Sequence, residues 1–326
     1  MVFTAIKPSK LQPGDRVGLC SPSGTMAHKR ELFEKAIKNF EKATQLHVVV
    51  APNALAAHYY SAGTPEERLA DFHGLVADKD IKAILFSGGG DTASDLLPGL
   101  DFDLIAHNPK IIAGISDATT LLSPITAKTG LITFLGFEFL DFAEHDLPYH
   151  FASLKKTWFE GTPGRIEPNP QWRDLTGTTT TYSGWQTIRP GIVEGPLVGG
   201  NSASFIQLIG TPYELSLPQQ ILFVETYKQP KKRVHKTLMQ LKLHGVFERS
   251  AGLILGYCVE SDNPDVLGNE QPMKELVLEV VADHEFPVLQ VGEIGHFVEN
   301  ALQPFGARAH MDAAKLEFEI LESVTQ

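Results

Sequence analysis

Short apolar runs alternate with amphipathic stretches along the first part of the chain. The runs have the length and β-branched content of buried strands, whereas residues 32–40 place their apolar side chains on one face of a helix. Strands are predicted at residues 16–20, 47–51, 81–86, 110–115 and 131–135. Because strand, loop and helix alternate repeatedly, we expect an α/β fold in which helices cover both faces of a mostly parallel sheet.

The pattern breaks between residues 161 and 190, where prolines, glycines and a threonine run at 178–181 leave no periodicity. A segment of this length without regular structure is either a linker or a functional loop. Beyond it, strands are predicted at 192–198, 220–224, 253–259, 287–291 and 314–321, and helices at 202–209, 231–244 and 273–282. A chain of 326 residues also exceeds the usual size of a single core. We therefore expect an N-terminal α/β domain (1–160), an irregular connection (161–190) and a smaller C-terminal α/β domain (191–326).

The sequence Gly114-Ile115-Ser116-Asp117 joins the fourth predicted strand to the helix that follows it. Such a junction lifts its serine off the sheet and sets helix-start amides beside it, which suits a nucleophile and its oxyanion. A serine there can also cap the helix, and because the full G-x-S-x-G pattern is absent, this stretch alone favours the cap. Its position supports the nucleophile, because the loops at 21–24, 87–91 and 114–117 should share the carboxyl rim of the sheet, where ligands bind.

A serine nucleophile needs a base, usually histidine, and a carboxylate that orients the base. Glu225 directly follows the apolar strand at 220–224, so it is either solvated at the rim or placed in a site. His296 follows a glycine-containing turn at 292–295, where glycine lets the ring approach another surface. Taken alone, His296 fits a structural or surface role better than a catalytic one.

The glycine turn at 88–90 has three interpretations. It could bind a phosphate, although it lacks the lysine and the spacing of the known phosphate-binding loops. It could donate an oxyanion-hole amide from a loop beside the nucleophile's strand. It could also be a tight strand-to-helix turn that binds no ligand.

Composition narrows the class of protein. Hydrophobic residues make up 43% of the chain and charged residues 21%, as in ordinary globular proteins. A formal charge of −11, with the densest basic run at 231–233, argues against a nucleic-acid polymer as partner. Neither a membrane-spanning apolar run nor a signal peptide is recognisable, so we expect no membrane association. Cys20 and Cys258 lie far apart in apolar runs, which indicates buried thiols in a reducing cytoplasm and no metal site.

Seven motifs occur in order along nearly the whole chain. They are LQPGD at 11–15 with SPS at 21–23, AGT at 62–64 with EER at 66–68, GGGD at 88–91 with LLP at 96–98, GISD at 114–117, GGN at 199–201 with GTP at 210–212, FVE at 223–225 and GH at 295–296. In this order they resemble the LD-carboxypeptidase family of serine peptidases, which includes the microcin C self-immunity proteins.

The resemblance implies a flavodoxin-like or glutamine amidotransferase-like N-terminal domain and a Ser–His–Glu triad, which maps onto Ser116, His296 and Glu225. It also implies an oxyanion hole of backbone amides, which we place at Gly90 and Asp117, in a cleft between the two domains. By the same resemblance the protein is a homodimer and needs no metal or other cofactor.

The glycine turn, the LLP motif and the tryptophan-bearing connection resemble the microcin-immunity branch more than the murein LD-carboxypeptidases. This implies hydrolysis of a peptidyl- or aminoacyl-nucleotide through an acyl-enzyme, with an aromatic side chain stacked on the nucleobase. Trp185 and Trp172 are the candidates, although either could instead anchor its own loop. Gly89 and Asn201 complete the expected substrate site. The turn at 199–201 opens a predicted helix, so its free amides could hold a substrate carboxylate. The alternatives are a murein tetrapeptide LD-carboxypeptidase of peptidoglycan recycling and a non-catalytic protein that sequesters a peptide or nucleotide.

Overall fold

A computed structural model describes residues 4–177, 182, 184–259 and 271–326. The threonine run at 178–181, which we expected to be irregular, lies outside these residues. In chain order the described strands are β1 (Arg16–Cys20), β2 (His47–Val50), β3 (Ile81–Phe86), β4 (Ile111–Gly114), β5 (Phe134–Leu135), β6 (Gly164–Ile166), β7 (Gln186–Arg189), β8 (Ile192–Asn201), β9 (Gln220–Thr226), β10 (Ser250–Cys258), β11 (Val288–Gln290), β12 (Gln303–Pro304), β13 (Arg308–Asp312) and β14 (Glu317–Ile320). The α-helices are α1 (Arg30–Thr44), α2 (Pro65–Ala77), α3 (Phe102–His107), α4 (Thr119–Thr129), α5 (Asp141–Glu144), α6 (Pro148–Leu154), α7 (Ser202–Ile206), α8 (Lys231–Leu243) and α9 (Met273–Val280).

The N-terminal sheet has the strand order β12-β5-β4-β3-β1-β2. Strands β1 to β5 are parallel, and their 2-1-3-4-5 order is that of flavodoxin-like folds, which confirms the predicted α/β architecture. Near-continuous apolar runs form these strands because both faces of the sheet are covered, and every residue of β4 is buried. The fifth strand is shorter than the sequence predicted.

The second sheet has the order β6-β14-β13-β8-β9-β10-β11-β7, with β8 to β11 parallel. Its outermost strands, β6 and β7, come from the connection at 161–190, which is therefore less irregular than we expected. For the same reason this sheet has more strands than the first, eight against six. Strands of three or four residues at a sheet edge bury few side chains, so the apolar pattern does not reveal them.

Helix α2 begins with a capping box, a pattern that can be recognised in the sequence at residues 64–67. The side chain of Thr64 accepts a hydrogen bond from the Glu67 amide, the Glu67 carboxylate accepts one from the Thr64 amide, and Pro65 is the first helical residue. This capping box fixes the end of the loop that carries Tyr60.

The two sheets are linked closely. Strand β12, far along the chain, returns to the N-terminal sheet and pairs antiparallel with β5. At the carboxyl end of β8, the Asn201 amide donates a hydrogen bond of 3.0 Å to Thr119 Oγ1 at the start of α4. The carboxyl ends of β4, β8 and β9 consequently meet in one region. No described helix has the length and apolar character needed to span a lipid bilayer.

Candidate active site

Ser116 lies between β4 and α4 with a backbone φ of +64°, in the left-handed region. Residues other than glycine rarely adopt this conformation, which is typical of the strained turn that exposes a nucleophile. The alternative interpretation, a helix cap, is not what the structure shows, because no side chain caps either the turn at 116–118 or α4. The glycine turn packs directly on the serine, since a β-carbon built at Gly89 would lie 2.8 Å from Ser116 Oγ.

Glu225 and His296 form a buried pair at the carboxyl end of β9. His296 Nδ1 lies 2.7 Å from Glu225 Oε2, with Glu225 fully buried and His296 only 6% exposed. The other oxygen of Glu225 accepts a hydrogen bond of 2.8 Å from Asn201 Nδ2. A neutral imidazole that donates from Nδ1 to the carboxylate keeps Nε2 as an acceptor, as a general base requires.

A cavity of about 690 Å³ brings Ser116 and His296 to the same space. His296 Nε2 is buried and has no hydrogen-bond partner among the described residues, so Ser116 Oγ is not within hydrogen-bonding distance of it. Catalytic hydrogen bonds are often loose before substrate binds, and this geometry is compatible with a base that engages the serine on closure. Gly89, Gly90 and Asp117 also line the cavity.

The amides of Gly90 and Asp117 have no hydrogen-bond acceptor among the described residues. Two free amides beside an exposed serine can bind an oxyanion. The Asp117 side chain has a separate role that sequence reasoning missed. Its carboxylate accepts hydrogen bonds from Ser23 Oγ (2.5 Å), the Ala93 amide (2.8 Å) and Thr120 Oγ1 (3.1 Å), and so ties the loops of the rim together. The carboxylate that directly follows Ser116 in the sequence was the signal that could have revealed this role.

Two carboxylates on the cavity wall, Glu138 and Asp141, were also missed. They interrupt the apolar sequence FLGFEFLDFA at 134–143, and that interruption was the signal. Burial and then the neighbouring charge of Glu138 raise the pKa of Asp141 to about 8, and burial also raises the pKa of Glu138. Their negative charges face the imidazole of His296.

The pKa of His296 lies above its usual value. Burial alone would lower this pKa, but the charge and the hydrogen bond of Glu225 raise it. The carboxylates of Glu138 and Asp141 add to the rise and reverse the effect of burial.

Asn201 does not form the open turn that we predicted. It ends β8 and caps α7, with its side-chain oxygen accepting from the Ser204 amide at 3.3 Å. Its backbone amide donates to Thr119 Oγ1 and its side-chain amide donates to Glu225, while Asn201 also lines the cavity. The sequence Gly-Gly-Asn signalled a turn, but the glycines continue the strand with φ of +148° and +122°.

The structure does not bring Trp172 or Trp185 to the cavity. The indole of Trp185 is buried and donates to Glu293, while that of Trp172 donates to the Gly292 carbonyl at 3.0 Å. Both side chains therefore anchor the connection at 161–190 against the loop that precedes His296. Exposed aromatic rings do line the cavity, namely Tyr60 (74% exposed) and Tyr227 (45% exposed).

Comparisons with known proteins agree with this architecture. Sequence models of the LD-carboxypeptidase N-terminal domain and C-terminal domain match residues 17–136 and 194–311. A probable murein peptide carboxypeptidase of Bacillus subtilis is 31% identical, covering 95% of this chain and 92% of its own length. The microcin C7 self-immunity protein MccF of Escherichia coli is 30% identical, covering 96% of this chain and 94% of its own. The structure of MccF in complex with aspartyl sulfamoyl adenosine superposes with a TM-score of 0.90 at 28% identity, over 98% of this chain and 100% of that one.

Both halves of the chain thus match family models, and the relatives align with it almost from end to end. The shared fold has two sheets, with parallel strands in the first. The chain belongs to the LD-carboxypeptidase family, S66, and is a hydrolase of the serine-peptidase type.

Proposed function

We propose that this protein cleaves an amide bond through an acyl-enzyme, with Ser116 as nucleophile, His296 as general base and Glu225 as the carboxylate that orients the base. The observation that carries the proposal is the meeting of two features in one cavity. One is a serine held at φ +64° beside free amides, and the other is an imidazole whose Nε2 is buried and unpartnered. The peptidase family of the chain supports the same chemistry.

The mechanism follows from the contacts. His296 Nε2 takes the proton of Ser116 as Oγ attacks the amide carbon, and the carboxylate of Glu225 stabilises the resulting imidazolium through Nδ1. The amides of Gly90 and Asp117 bind the tetrahedral oxyanion, and each such donor contributes roughly 3 kcal/mol. The C–N bond then breaks as His296 returns the proton to the leaving nitrogen, and an ester forms on Ser116. Water, deprotonated by His296, hydrolyses that ester.

Asn201 positions this machinery. Its side-chain amide donates a hydrogen bond to one oxygen of Glu225, and the other oxygen of Glu225 contacts His296 Nδ1. The carboxylate is therefore fixed between two partners. Because Asn201 also caps α7 and bonds to the start of α4, it connects the base to the helix that follows the nucleophile.

For the substrate we propose an aminoacyl- or peptidyl-nucleotide, and a murein tetrapeptide as the alternative. The first is supported by MccF, which has been crystallised with aspartyl sulfamoyl adenosine and with glutamyl sulfamoyl guanosine. The exposed rings of Tyr60 and Tyr227 offer flat apolar surfaces in the cavity against which a nucleobase could stack. The murein peptide carboxypeptidase among the relatives supports the alternative.

The test is a side-by-side assay of aspartyl sulfamoyl adenosine and a murein tetrapeptide with the native protein and with Ser116→Ala. We expect amide cleavage of one substrate by the native protein and a loss of at least about 1,000-fold in kcat for the variant. Ser116→Ala should still bind the substrate that the native protein cleaves. Undiminished hydrolysis by the variant would rule out Ser116 as the nucleophile, and binding without turnover by both proteins would favour the sequestering protein.

We also propose a cytoplasmic homodimer with one domain on each side of the connection at 161–190. The dimer is supported by the family resemblance, and the cytoplasmic location by the burial of both cysteine thiols, Cys20 and Cys258. Light scattering coupled to gel filtration measures the dimer, since a mass near twice the chain mass of 35.7 kDa is expected.

A further inference from the structure

Glu138 and Asp141 line the proposed catalytic cavity and are partly buried, and neither carboxylate accepts a hydrogen bond or forms an ion pair among the described residues. His296 and Lys29 lie on the same cavity and lower the pKa of both carboxylates through their charge, but neither is a direct ion-pair partner of them. Desolvated carboxylates are costly unless a cation or hydrogen-bond donors compensate them.

The pair lies close to the reacting groups. A β-carbon built at Gly88 would be 2.6 Å from Glu138 Oε1, so this carboxylate lies over the turn whose next residue packs on Ser116. Asp141 begins α5, three residues further along, and its charge acts on both Glu138 and His296. The two carboxylates therefore line the same cavity as the nucleophile and the base.

An independent feature indicates that this part of the cavity receives a ligand. His296 is 6% exposed and lines the same cavity, and its buried Nε2 has no partner among the described residues. A buried polar atom of this kind is normally satisfied by protein, water or substrate. Glu138 and Asp141, which form the acidic wall of the cavity, thus line one binding volume together with His296.

We propose that Glu138 and Asp141 bind a primary ammonium group of the substrate, close to the amide that Ser116 attacks. This inference rests on the proposed function and adds the chemical class of the group that the cavity selects. An ammonium group supplies three donors and a positive charge, which matches two neighbouring carboxylates that otherwise repel each other. In its absence the raised pKa of Asp141, about 8, lets that residue hold a proton near neutral pH, and a bound cation would favour its release.

Two kinds of substrate can supply such a group. An aminoacyl-nucleotide carries an α-ammonium group next to the scissile carbonyl, whereas a peptide that contains a diamino acid carries one on a side chain. The shared chemistry is the primary ammonium, and matched ligands with and without it distinguish the two sources.

The test measures equilibrium binding in a Ser116→Ala background, so that it does not depend on turnover. The ligands are aspartyl sulfamoyl adenosine and its desamino analogue, in which hydrogen replaces the α-ammonium. A second pair is a murein tetrapeptide with a diamino acid and the same peptide without the side-chain ammonium. Each is titrated against the background protein and against proteins that also carry Glu138→Gln, Asp141→Asn or, as a matched control, Glu34→Gln. Glu34 is exposed in α1 and does not line the cavity.

We expect the ammonium form of one pair to bind at least about tenfold more tightly than its partner. Glu138→Gln and Asp141→Asn should reduce this preference to about twofold or less, without weakening the desamino ligand, and Glu34→Gln should preserve it. A structural defect would weaken both ligands of a pair equally, and that result would overturn the proposal. An equal affinity for both ligands in the background protein would overturn it as well.

The outcomes separate this inference from the proposed function. No binding of any of the four ligands would overturn the ammonium site and the proposed substrates together, whereas Ser116-dependent cleavage of another amide would still support the hydrolase. Conversely, a clear ammonium preference combined with undiminished turnover by Ser116→Ala would support the site and reject the proposed nucleophile.

Discussion

Ser116 has a backbone conformation that costs free energy wherever a β-carbon is present. At φ +64° an alanine carries the same penalty as the native serine, whereas glycine does not. We therefore expect Ser116→Gly to exceed Ser116→Ala in free energy of unfolding by roughly 1 kcal/mol, with both variants inactive. Urea denaturation of the two proteins measures the difference. Equal stabilities, or a less stable glycine variant, would show that the backbone is not strained at Ser116.

His296 predicts the acid limb of the pH profile. The neutral imidazole is the base, and its pKa is raised above the ordinary 6.5, so kcat/KM should fall as the pH drops through a midpoint above 6.5. Glu138→Gln removes one of the charges that raise this pKa and should move the midpoint toward lower pH. Rate profiles from pH 5 to 9 on a substrate analogue without an ammonium group separate this effect from binding. A midpoint that does not move in the variant would contradict the assigned electrostatics.

At the scale of elements, the glycine turn at 88–90 packs closely against the turn that carries Ser116. A methyl group at Gly89 would lie 2.6 Å from Ser116 Cβ, closer than atoms can approach, so Gly89→Ala must displace the turn or the serine. Displacements of about 1 Å can reduce catalysis about 100-fold, and we expect a loss of that size in kcat. Steady-state kinetics on the cleaved substrate measures it.

Gly74→Ala provides the control for that substitution. Gly74 lies inside α2, where nothing lies within 4 Å of a built β-carbon. The same chemical change there should raise the free energy of unfolding by about 0.5–1 kcal/mol and leave kcat unchanged. Comparable losses of activity in the two alanine variants would mean that contact with Ser116 is not the cause.

The sequence predicted elements according to how much apolar surface each one buries. β4 and β9 were predictable because all their residues are buried, and α2 because its capping box is local. β6 and β7 were not, because short edge strands gain most of their stability from neighbours that lie far away in the chain. The turn predicted at 199–201 was wrong for a related reason. The two glycines continue β8 only because β9 pairs with them.

At the scale of the whole molecule, the cavity combines residues that are distant in the chain. Ser116, Glu225 and His296 were identified through family motifs, since their spacing alone does not show that they meet. The anchoring of Trp172 and Trp185 depends on the loop at 292–298, which no local pattern connects to them. Glu138 and Asp141 were recognisable as charges in an apolar segment, but only the packing of α5 shows that they face the imidazole.

The acidic wall should also affect the stability of the whole protein. Asp141 has a pKa of about 8 in the folded state against 3.8 when unfolded, so the folded protein binds more protons between these values and loses stability as the pH rises through them. The raised pKa of His296 acts in the same direction above pH 6.5. Asp141→Asn removes the free-energy cost of ionising residue 141 in the folded protein. We therefore expect it to raise the midpoint of thermal unfolding at pH 8.5, by roughly 2–4 °C for each kcal/mol recovered.

Calorimetry from pH 4 to 8.5 tests this, because the gain should shrink toward pH 4, which is close to the unfolded-state pKa of 3.8 and where little of the free-energy cost of ionising Asp141 remains. Glu34→Gln, which changes an exposed carboxylate in α1 outside the cavity, should give a small and pH-independent shift. A pH-independent effect of Asp141→Asn would contradict a proton held at this residue. A gain in stability accompanied by weaker binding of an ammonium ligand would mean that the cavity keeps Asp141 for its ligand at the expense of the fold.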